Sequence, residues 1–463
     1  MRYLSTRGGV EPVGFADAVM MGLGTDGGLL VPEQIPKIPA KRLKDWSQLN
    51  FQQLAVEVLS PFVGESIPHA DLVELVERSY ATFLHPEVTP LAEHGGRQWL
   101  ELFHGPTAAF KDVALQLLGN LFEYLIAREG GVLRILGATS GDTGSAAIYG
   151  VRGKAGIDIF ILHPKGRVSP IQERQMTTVL DANVHNIAVL GTFDDAQRIV
   201  KTLFNDLPFK QQYRLGAVNS INLARILAQT IYYFYAWGRI SGGNPEHRVS
   251  FSVPTGNFGD VFAGWLAKRM GLPIDRLIIA TNRNDILSRF VASGVYQAGE
   301  VFQTLSPAMD IQLASNFERY LYYLLDEDPA AVRALLAELE QTGQLQVDGE
   351  RRRRVAEDFD ARAVSDAETL AEIRQVYATS GYILCPHTAV GARAAADNAE
   401  AVVLATAHPA KFDAAVVEAI GIEPPPPRSL QGLLERETRC AELAADAEAI
   451  SGFMRETLGA VED

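Results

Sequence analysis

Cysteine is scarce in this 463-residue chain, which contains only Cys385 and Cys440. Two cysteines so far apart provide neither the paired spacing of a zinc site nor a disulfide framework. The nine histidines include no H-E-x-x-H pattern, so the motifs predict no metal site. Because disulfides are typical of oxidising compartments, their expected absence makes the reducing cytoplasm the default location.

Long apolar runs and an excess of positive charge are also missing. No uninterrupted apolar run approaches the roughly 18 residues of a membrane span, and the opening MRYLSTRGG lacks the apolar core of a secretory signal. The formal net charge of −14 argues against a broad nucleic-acid surface, which needs a basic patch. The basic run RRRR at 351–354 is followed by acidic residues, which favours a solvated helix face over a polyanion site. We therefore expect no membrane and no nucleic-acid partner.

The chain does contain a regular alternation of short apolar runs with helix-like stretches after about residue 97. Six runs are each followed by a stretch with helical apolar spacing, and they lie at 132–138, 157–163, 184–190, 215–219, 249–254 and 276–282. YILCP, at 382–386, is predicted to resume the strand pattern. Because continuously apolar strands are buried on both faces, the alternation predicts an α/β protein with parallel sheets covered by helices.

The pattern along the chain also predicts an order of domains. The prediction has an N-terminal domain, a core, a helix-rich insert, a return of the core and a helical C-terminal tail, at 1–95, 96–325, 326–380, 381–420 and 421–463. The run PPPP at 424–427 predicts a stiff link before the tail. A length of 463 residues suits two or three domains.

Three small-residue loops follow predicted strands, where parallel sheets bind their ligands. TSGDTGS at 139–145 and TGNFGD at 255–260 each open a helix, whose free N–H groups attract anions. The alternative for both is an ordinary capped helix with flexible glycines. CPHTAVG at 385–391 is similar, and an N-cap role for Thr388 is its alternative. No Walker loop or G-x-G-x-x-G occurs, so a nucleotide triphosphate site is not supported.

A fourth segment, HGPTAAFKD at 104–112, places Lys111 in the first turn of a predicted helix. The N-terminal end of a helix carries a partial positive charge, so a lysine there is electrostatically unfavourable. The unfavourable position suggests that Lys111 has a chemical role. The alternative is a surface lysine whose charged group extends into solvent.

These segments occur together in an order that resembles the threonine synthase family. HGPTAAFKD, TSGDTGSAAI, AVNSINLARI, VPTGNFGDVFAG and PHTAVG carry the resemblance, and MRYLSTRGG with MGLGTDGGLLVPE resembles the family's N-terminus. The similarity extends from residue 1 to about 420. It implies a two-lobed fold-type-II enzyme with an N-terminal domain and a helical insert, and pyridoxal 5′-phosphate (PLP) as the cofactor. It also implies conversion of O-phospho-L-homoserine and water to L-threonine and phosphate, with no metal. The oligomeric state, monomer or dimer, stays open.

The resemblance implies a role for each loop. Lys111 matches the lysine that forms a Schiff base with the cofactor and then moves protons. The loop that cradles the cofactor phosphate is matched by Gly256, Asn257, Phe258, Gly259 and Asp260. Thr388 matches the residue that faces the pyridine nitrogen, where a neutral hydroxyl leaves the ring largely unprotonated and favours elimination over transamination. Asp142 lies where relatives often have an asparagine near the cofactor's 3′-oxygen. The substrate loop is matched by Thr139, Ser140, Gly141 and Thr143.

One position departs from a common form of the family pattern. Cys385 precedes Pro-His-Thr, where related sequences frequently have an aspartate, and this removes one possible charge near the cofactor. Two alternatives to the implied activity are open. One is another fold-type-II enzyme, such as a threonine deaminase or a cysteine-synthase-like enzyme. The other is a non-catalytic relative that kept the fold.

Overall fold

The computed structural model describes residues 1–217 and 220–459. The chain divides into two compact units, each built from two separate stretches of sequence. Unit 1 comprises Met1–Ala114 and Ser220–Pro425, and unit 2 comprises Leu115–Asn219 and Pro426–Asp463. The five-part division predicted from the sequence stays a prediction.

The strands are short, and most are rich in β-branched or other apolar residues. They are β1 Tyr3–Ser5, β2 Leu30–Pro32, β3 Leu91–His94, β4 Arg97–Glu101, β5 Leu133–Ala138, β6 Ile157–Pro164, β7 Val184–Leu190, β8 Leu215–Gly216, β9 Val249–Pro254, β10 Ile274–Thr281, β11 Val295–Gln297, β12 Gln344–Gln346, β13 Phe359–Ala363, β14 Val402–Ala405 and β15 Ala441–Ala444.

The helices alternate with the strands through much of the chain. They are α1 Phe15–Met21, α2 Ala40–Trp46, α3 Phe51–Val63, α4 His69–Tyr80, α5 Lys111–Glu129, α6 Asp142–Val151, α7 Pro170–Thr177, α8 Phe193–Asn205, α9 Leu207–Gln212, α10 Leu223–Ser241, α11 Gly259–Met270, α12 Ile286–Ser293, α13 Phe317–Leu324, α14 Pro329–Thr342, α15 Gly349–Asp358, α16 Asp366–Ser380, α17 Pro386–Ala394, α18 Asp413–Ile420 and α19 Ala447–Leu458.

Unit 1 is built on a six-stranded sheet in the order β13-β10-β9-β14-β4-β3. All neighbouring pairs are parallel except β3 and β4, which form an antiparallel edge. The sheet is therefore the predicted parallel type, and the loops after β4, β9 and β14 lie at its carboxyl edge. Two antiparallel ribbons, β1-β2 and β11-β12, complete the strands of this unit.

Unit 2 contains a fully parallel five-stranded sheet in the order β15-β7-β6-β5-β8. An apolar core packs α8 and α19 against it through Phe160, Leu162, Ile199, Ile450 and Met454. The amphipathic helix α8 begins at a capping box in which Thr192 and Asp195 satisfy each other's backbone N–H groups.

Helix α10 shows how the core of unit 1 is formed. Every residue from Leu223 to Gly238 is buried, because the helix is mostly apolar around its whole circumference. Asn222 caps its start through a 3.0 Å hydrogen bond to the N–H of Ala224, and Gly242 ends it in the left-handed conformation. A helix this deeply buried holds its few polar side chains in fixed positions.

Most sequence predictions of strands and helices are confirmed, with three differences. YILCP was expected to be a strand, but residues 381–385 form none. The predicted strand 215–219 is described only as Leu215–Gly216, and positions 218 and 219 lie outside the described residues. The tail predicted as helical also contributes a strand, because Ala441–Ala444 pairs in parallel with Val184–Leu190.

The basic run at 351–354 lies on α15, in agreement with the predicted solvated helix face. Arg351 pairs with Asp348, and Arg354 pairs with Asp326 at 2.9 Å. Within the described residues, no helix is long and apolar enough to cross a membrane.

Candidate active site

Lys111 is the first residue of α5, as the sequence predicts, and only 9% of its surface is exposed. The turn before it is folded by the next residue. The carboxylate of Asp112 accepts the Thr107 N–H at 2.8 Å and the Thr107 hydroxyl at 2.7 Å. The backbone that leads into Lys111 is therefore held by a buried side chain of the same helix turn.

Asp112 is fully buried, and burial raises its pKa to about 6. The hydrogen bonds from Thr107 and the charge of Lys411 oppose this rise. Lys411 also donates to the carbonyl oxygen of Thr107 at 2.8 Å. The carboxylate of Asp112 and the ammonium of Lys411 thus both bind Thr107, and together they fix the turn that precedes Lys111.

The Lys111 loop is connected to Thr388 through a single residue, Thr406. The N–H of Phe110 donates to the Thr406 carbonyl at 2.8 Å, and the N–H of Thr406 donates to Thr388 Oγ1 at 3.3 Å. An isolated antiparallel bridge between Ala109 and Ala407 runs alongside. Two segments about 300 positions apart in sequence thus meet beyond the ends of β4 and β14.

Thr388 is buried in the first turn of α17, and the cap of this helix is unusual. Cys385 is the N-cap residue, and its sulfur accepts the N–H of Thr388 at 3.4 Å. The same sulfur lies 3.1 Å from Thr388 Oγ1. The sequence alternative, in which Thr388 itself is the N-cap, is therefore wrong.

The loop after β9 has the geometry of an anion cradle. Phe258 adopts a left-handed conformation, with φ of 65°, and its ring packs against Phe317, Tyr320 and Phe359. In the described residues no side chain caps the following helix α11, and uncapped N–H groups of this kind are able to bind an anion. A Cβ atom at Gly256 would lie 2.7 Å from the carbonyl oxygen of Ala308, so the loop approaches this backbone too closely for a side chain.

Asn316 and His387 hold the glycine loop in place. The backbone N–H and side-chain amide of Asn316 both donate to the carbonyl oxygen of Asn257, at 3.0 and 3.1 Å. The N–H of Ala308, which lies against Gly256, donates to His387 Nε2 at 3.2 Å. His387 is adjacent to Thr388, so the predicted phosphate loop and the predicted ring-facing residue belong to one connected cluster with the Lys111 loop.

Asp260 follows the glycine loop but points into the core, with 6% of its surface exposed. Its Oδ1 accepts hydroxyl hydrogen bonds from Tyr232 at 2.5 Å and from Tyr233 at 2.9 Å. Burial raises the pKa of Asp260 to about 6, and the two tyrosine hydrogen bonds oppose that rise. The carboxylate therefore ties the start of α11 to α10, and only the backbone of this residue is left to face an anion.

Arg225 is a buried charge that the sequence motifs did not single out. It lies on α10 within AVNSINLARI, 4% of its surface is exposed, and its Nη1 has no hydrogen-bond partner among residues 1–217 and 220–459. Burial lowers its pKa to about 10, which still leaves it charged near neutral pH. A buried cation of this kind favours an anionic ligand.

The predicted substrate loop belongs to unit 2. The hydroxyl oxygen of Thr139 accepts the N–H groups of Gly141 and Gly144 at 3.0 and 2.9 Å, which folds the loop back on itself. Ser140 is exposed and Thr143 is partly buried. Gly141 has φ of 141°, a conformation that suits glycine, and no side chain caps α6.

Asp142 is buried at the start of α6, and Gln172 holds it. The side-chain amide of Gln172 donates to Asp142 Oδ1 at 2.8 Å. This donor gives the carboxylate a fixed orientation, which the sequence alone did not predict. A Cβ atom at Gly141 would lie 2.5 Å from the Gln172 side chain, so the glycine makes room for this contact.

The structure supplies several site residues that sequence reasoning missed. Asp112, Lys411, Asn316 and Gln172 are each fixed by a partner distant in sequence or by a loop whose shape is not evident from composition. Arg225 had a detectable signal, because it is an arginine in the first turn of a mostly apolar helix. Buried charges of that kind are uncommon unless they are paired or bind a ligand.

Family models match along nearly the whole chain. One described as "Threonine synthase N terminus" matches residues 2–80, one described as "Pyridoxal-phosphate dependent enzyme" matches residues 83–407, and one described as "Threonine synthase, C-terminal" matches residues 388–454.

Full-length relatives agree with the family models. The threonine synthase of Pseudomonas aeruginosa is 49% identical over 461 residues, which cover 98% of each chain. The threonine synthase of Saccharomyces cerevisiae is 49% identical over 456 residues, which cover 90% of this chain and 89% of that protein. The crystal structure of PLP-bound threonine synthase from Brucella melitensis has a TM-score of 0.96 and 47% identity, and the match covers 99% of both chains. The chain therefore belongs to the threonine synthase family of PLP-dependent enzymes, with the fold-type-II architecture.

Proposed function

We propose that this chain converts O-phospho-L-homoserine and water to L-threonine and inorganic phosphate, as the last step of threonine biosynthesis. The reaction is a γ-elimination followed by β-addition of water, catalysed by a PLP-dependent lyase. Membership of the threonine synthase family supports the reaction. The observation that carries the residue assignment is the buried Lys111, joined through Thr406 to Thr388.

The residues of unit 1 fit a bound PLP. An uncapped helix follows a glycine loop that excludes side chains, which suits the cofactor phosphate, and we assign that role to the backbone of residues 256–260. Thr388 offers a buried hydroxyl for the ring nitrogen, and Lys111 a buried amine for the covalent bond. On the family resemblance alone, we assign Asp142, a residue of unit 2 that Gln172 holds, to the 3′-oxygen of the cofactor. When bound, PLP supplies an electron sink that stabilises negative charge on the substrate carbon.

Lys111 is the base that moves protons in this proposal. Its amine removes the proton from the substrate Cα and returns a proton to carbon later in the reaction. Its burial suits this work, because a buried amine is held in place and shielded from bulk water. The folded turn held by Asp112 and Lys411 fixes the backbone from which the amine extends.

Arg225 is proposed to bind the phosphate group of the substrate. Its guanidinium is buried and charged, and a phosphate oxygen would satisfy the hydrogen-bonding capacity that Nη1 retains. In unit 2 we assign the substrate's amino-acid carboxylate to the loop of Thr139, Ser140, Gly141 and Thr143, because α6 begins without a side-chain cap. Phosphate released from Cγ is itself a base able to help deprotonate the attacking water.

The assignment of Lys111 is tested by phosphate release and by chemical trapping. Lys111→Ala is expected to release no phosphate from O-phospho-L-homoserine with added PLP and to lack the visible absorbance of bound cofactor. Borohydride reduction of the wild-type protein should attach PLP to the peptide that contains Lys111. Lys201→Ala is a matched control, because Lys201 is exposed on α8, and it should behave as wild type.

Two results would contradict the proposal. Attachment of PLP to another peptide would refute the role of Lys111. Production of 2-oxobutanoate from threonine, without phosphate release from O-phospho-L-homoserine, would instead favour a deaminase. O-phospho-L-homoserine is the only small-molecule partner that we propose, and the cytoplasmic location inferred from the low cysteine content stays a prediction.

A further inference from the structure

Cys385 occupies a buried position directly behind Thr388. It is 1% exposed and packs with Ala109 and Ala407, beside the loop that leads into Lys111. As the N-cap of α17, it fixes the turn on which Thr388 lies.

The sulfur of Cys385 faces several hydrogen-bond donors and one acceptor. It accepts the N–H of Thr388 at 3.4 Å, and the backbone N–H groups of His387 and Ala407 also interact with it. Burial raises the pKa of the Cys385 thiol, and these hydrogen bonds oppose the rise without reversing it. The group is therefore a thiol, and Thr388 Oγ1, at 3.1 Å, is the acceptor toward which its S–H can point.

The hydrogen bonds of Thr388 then follow from simple counting. A hydroxyl has one donor and two acceptor positions. The N–H of Thr406 occupies one acceptor position at 3.3 Å, and the other is open to the S–H of Cys385, whose sulfur lies 3.1 Å from Oγ1. Within the described part of the chain, the sulfur is the one hydrogen-bond partner of Thr388 Oγ1 able to accept its proton, and N–H groups already surround that sulfur. The proton of Thr388 is thus left for a ligand.

We propose that Cys385 is a positioning residue that makes Thr388 a hydrogen-bond donor only, so that a PLP ring nitrogen facing Thr388 is bound in its unprotonated form. The inference rests on the proposed function, specifically on the assignment of Thr388 to the ring nitrogen. It adds a determinant of the cofactor's electronic state that lies outside direct contact with the cofactor. An unprotonated ring is the weaker electron sink, which suits elimination and replacement chemistry.

Two substitutions change the hydrogen bonding in opposite ways. Cys385→Ser keeps a small donor that also accepts the N–H of Thr388, so Thr388 stays a donor. Cys385→Asp places a carboxylate, which only accepts, beside Thr388 Oγ1. The hydroxyl proton then turns to the carboxylate and leaves an oxygen lone pair toward the ring, which favours a protonated ring nitrogen.

The test is nitrogen NMR of the holoenzyme reconstituted with PLP labelled with ¹⁵N in the ring. Free PLP recorded in acid and in alkali gives the two reference shifts. We expect the wild-type protein and Cys385→Ser to lie near the unprotonated reference. Cys385→Asp should move more than halfway toward the protonated one.

The outcomes separate this inference from the proposed function. A wild-type protein with bound PLP and a protonated ring overturns the role of Cys385, and this measurement needs no variant to fold. An unchanged shift in folded Cys385→Asp also overturns it, as does a protonated ring in Cys385→Ser. Failure of the wild-type protein to bind PLP at all, with no phosphate release, overturns the proposed function as well.

Discussion

Replacing Arg225 with methionine tests whether this buried charge lowers the stability of the protein and whether it binds the substrate phosphate. The guanidinium is 4% exposed on α10, and burial lowers its pKa from the usual value of an arginine to about 10. That lowering corresponds to about 3 kcal/mol of free energy of unfolding lost by holding the charge in the folded protein. For a base whose folded pKa lies below its unfolded value, the cost is fully present below the folded pKa. It therefore applies at neutral pH and fades only as the pH rises above about 10.

We expect Arg225→Met to fold and, in phosphate-free buffer, to have a free energy of unfolding up to about 3 kcal/mol higher than wild type. Imperfect packing of the methionine reduces that gain. Added phosphate should stabilise the wild-type protein, by about 2.7 kcal/mol at 100 times its dissociation constant, and should stabilise the variant little. The KM for O-phospho-L-homoserine should rise at least tenfold, because about 1.4 kcal/mol of lost binding free energy already gives that factor.

The assay is urea unfolding followed by circular dichroism, with and without phosphate. Arg239→Met is the matched control, since Arg239 lies on the same helix but is exposed and donates to the carbonyl oxygens of Ser47 and Leu49. It should lose a little stability and keep the full phosphate effect. If Arg225→Met instead loses several kcal/mol, and phosphate stabilises it as much as it does wild type, Arg225 is structural and the reasoning is wrong.

Two further predictions concern the glycine loop and its support. The wild-type protein should lose stability as the pH rises from about 4 to about 6, and Asp260→Asn should remove most of that loss. Burial raises the pKa of the wild-type carboxyl to about 6 in the folded protein, so its ionisation in that window costs up to about 3 kcal/mol of stability. Urea unfolding at several pH values measures the free energy of unfolding, and a pH dependence equal to that of wild type would refute this prediction. Gly256→Ala should weaken PLP binding at least tenfold, because its Cβ would lie 2.7 Å from the Ala308 carbonyl oxygen. Fluorescence titration with PLP tests this against Gly349→Ala, which has open space around its Cβ, and equal affinities would show that the loop tolerates a side chain.

The strand predicted at 382–386 is wrong, and it shows a limit of predicting strands from apolar runs. Residues 382–384 read as a strand because they are apolar and follow a helix. In the structure Tyr382 stacks on His94 and donates to Glu101 at 2.8 Å, while Leu384 packs in a cluster with Trp99. The neighbouring sheet positions are occupied, because β14 pairs with both β4 and β9. The apolar side chains of this segment are thus buried without backbone pairing to a neighbouring strand. The local sequence cannot distinguish this arrangement from a buried strand.

The sequence alone predicts the alternation of strands and helices, the start of α5 at Lys111 and the positions of the small-residue loops. These features depend on local periodicity, on glycine and on helix-start chemistry, which neighbouring residues express directly. Other features arise only when the chain is folded. Cys385 contacts Thr388, whose hydroxyl accepts the N–H of Thr406, Tyr232 and Tyr233 hold Asp260, and no described carboxylate pairs with Arg225. Hydrogen bonds and burial of this kind depend on which distant segments meet, and that is fixed by packing of the whole chain.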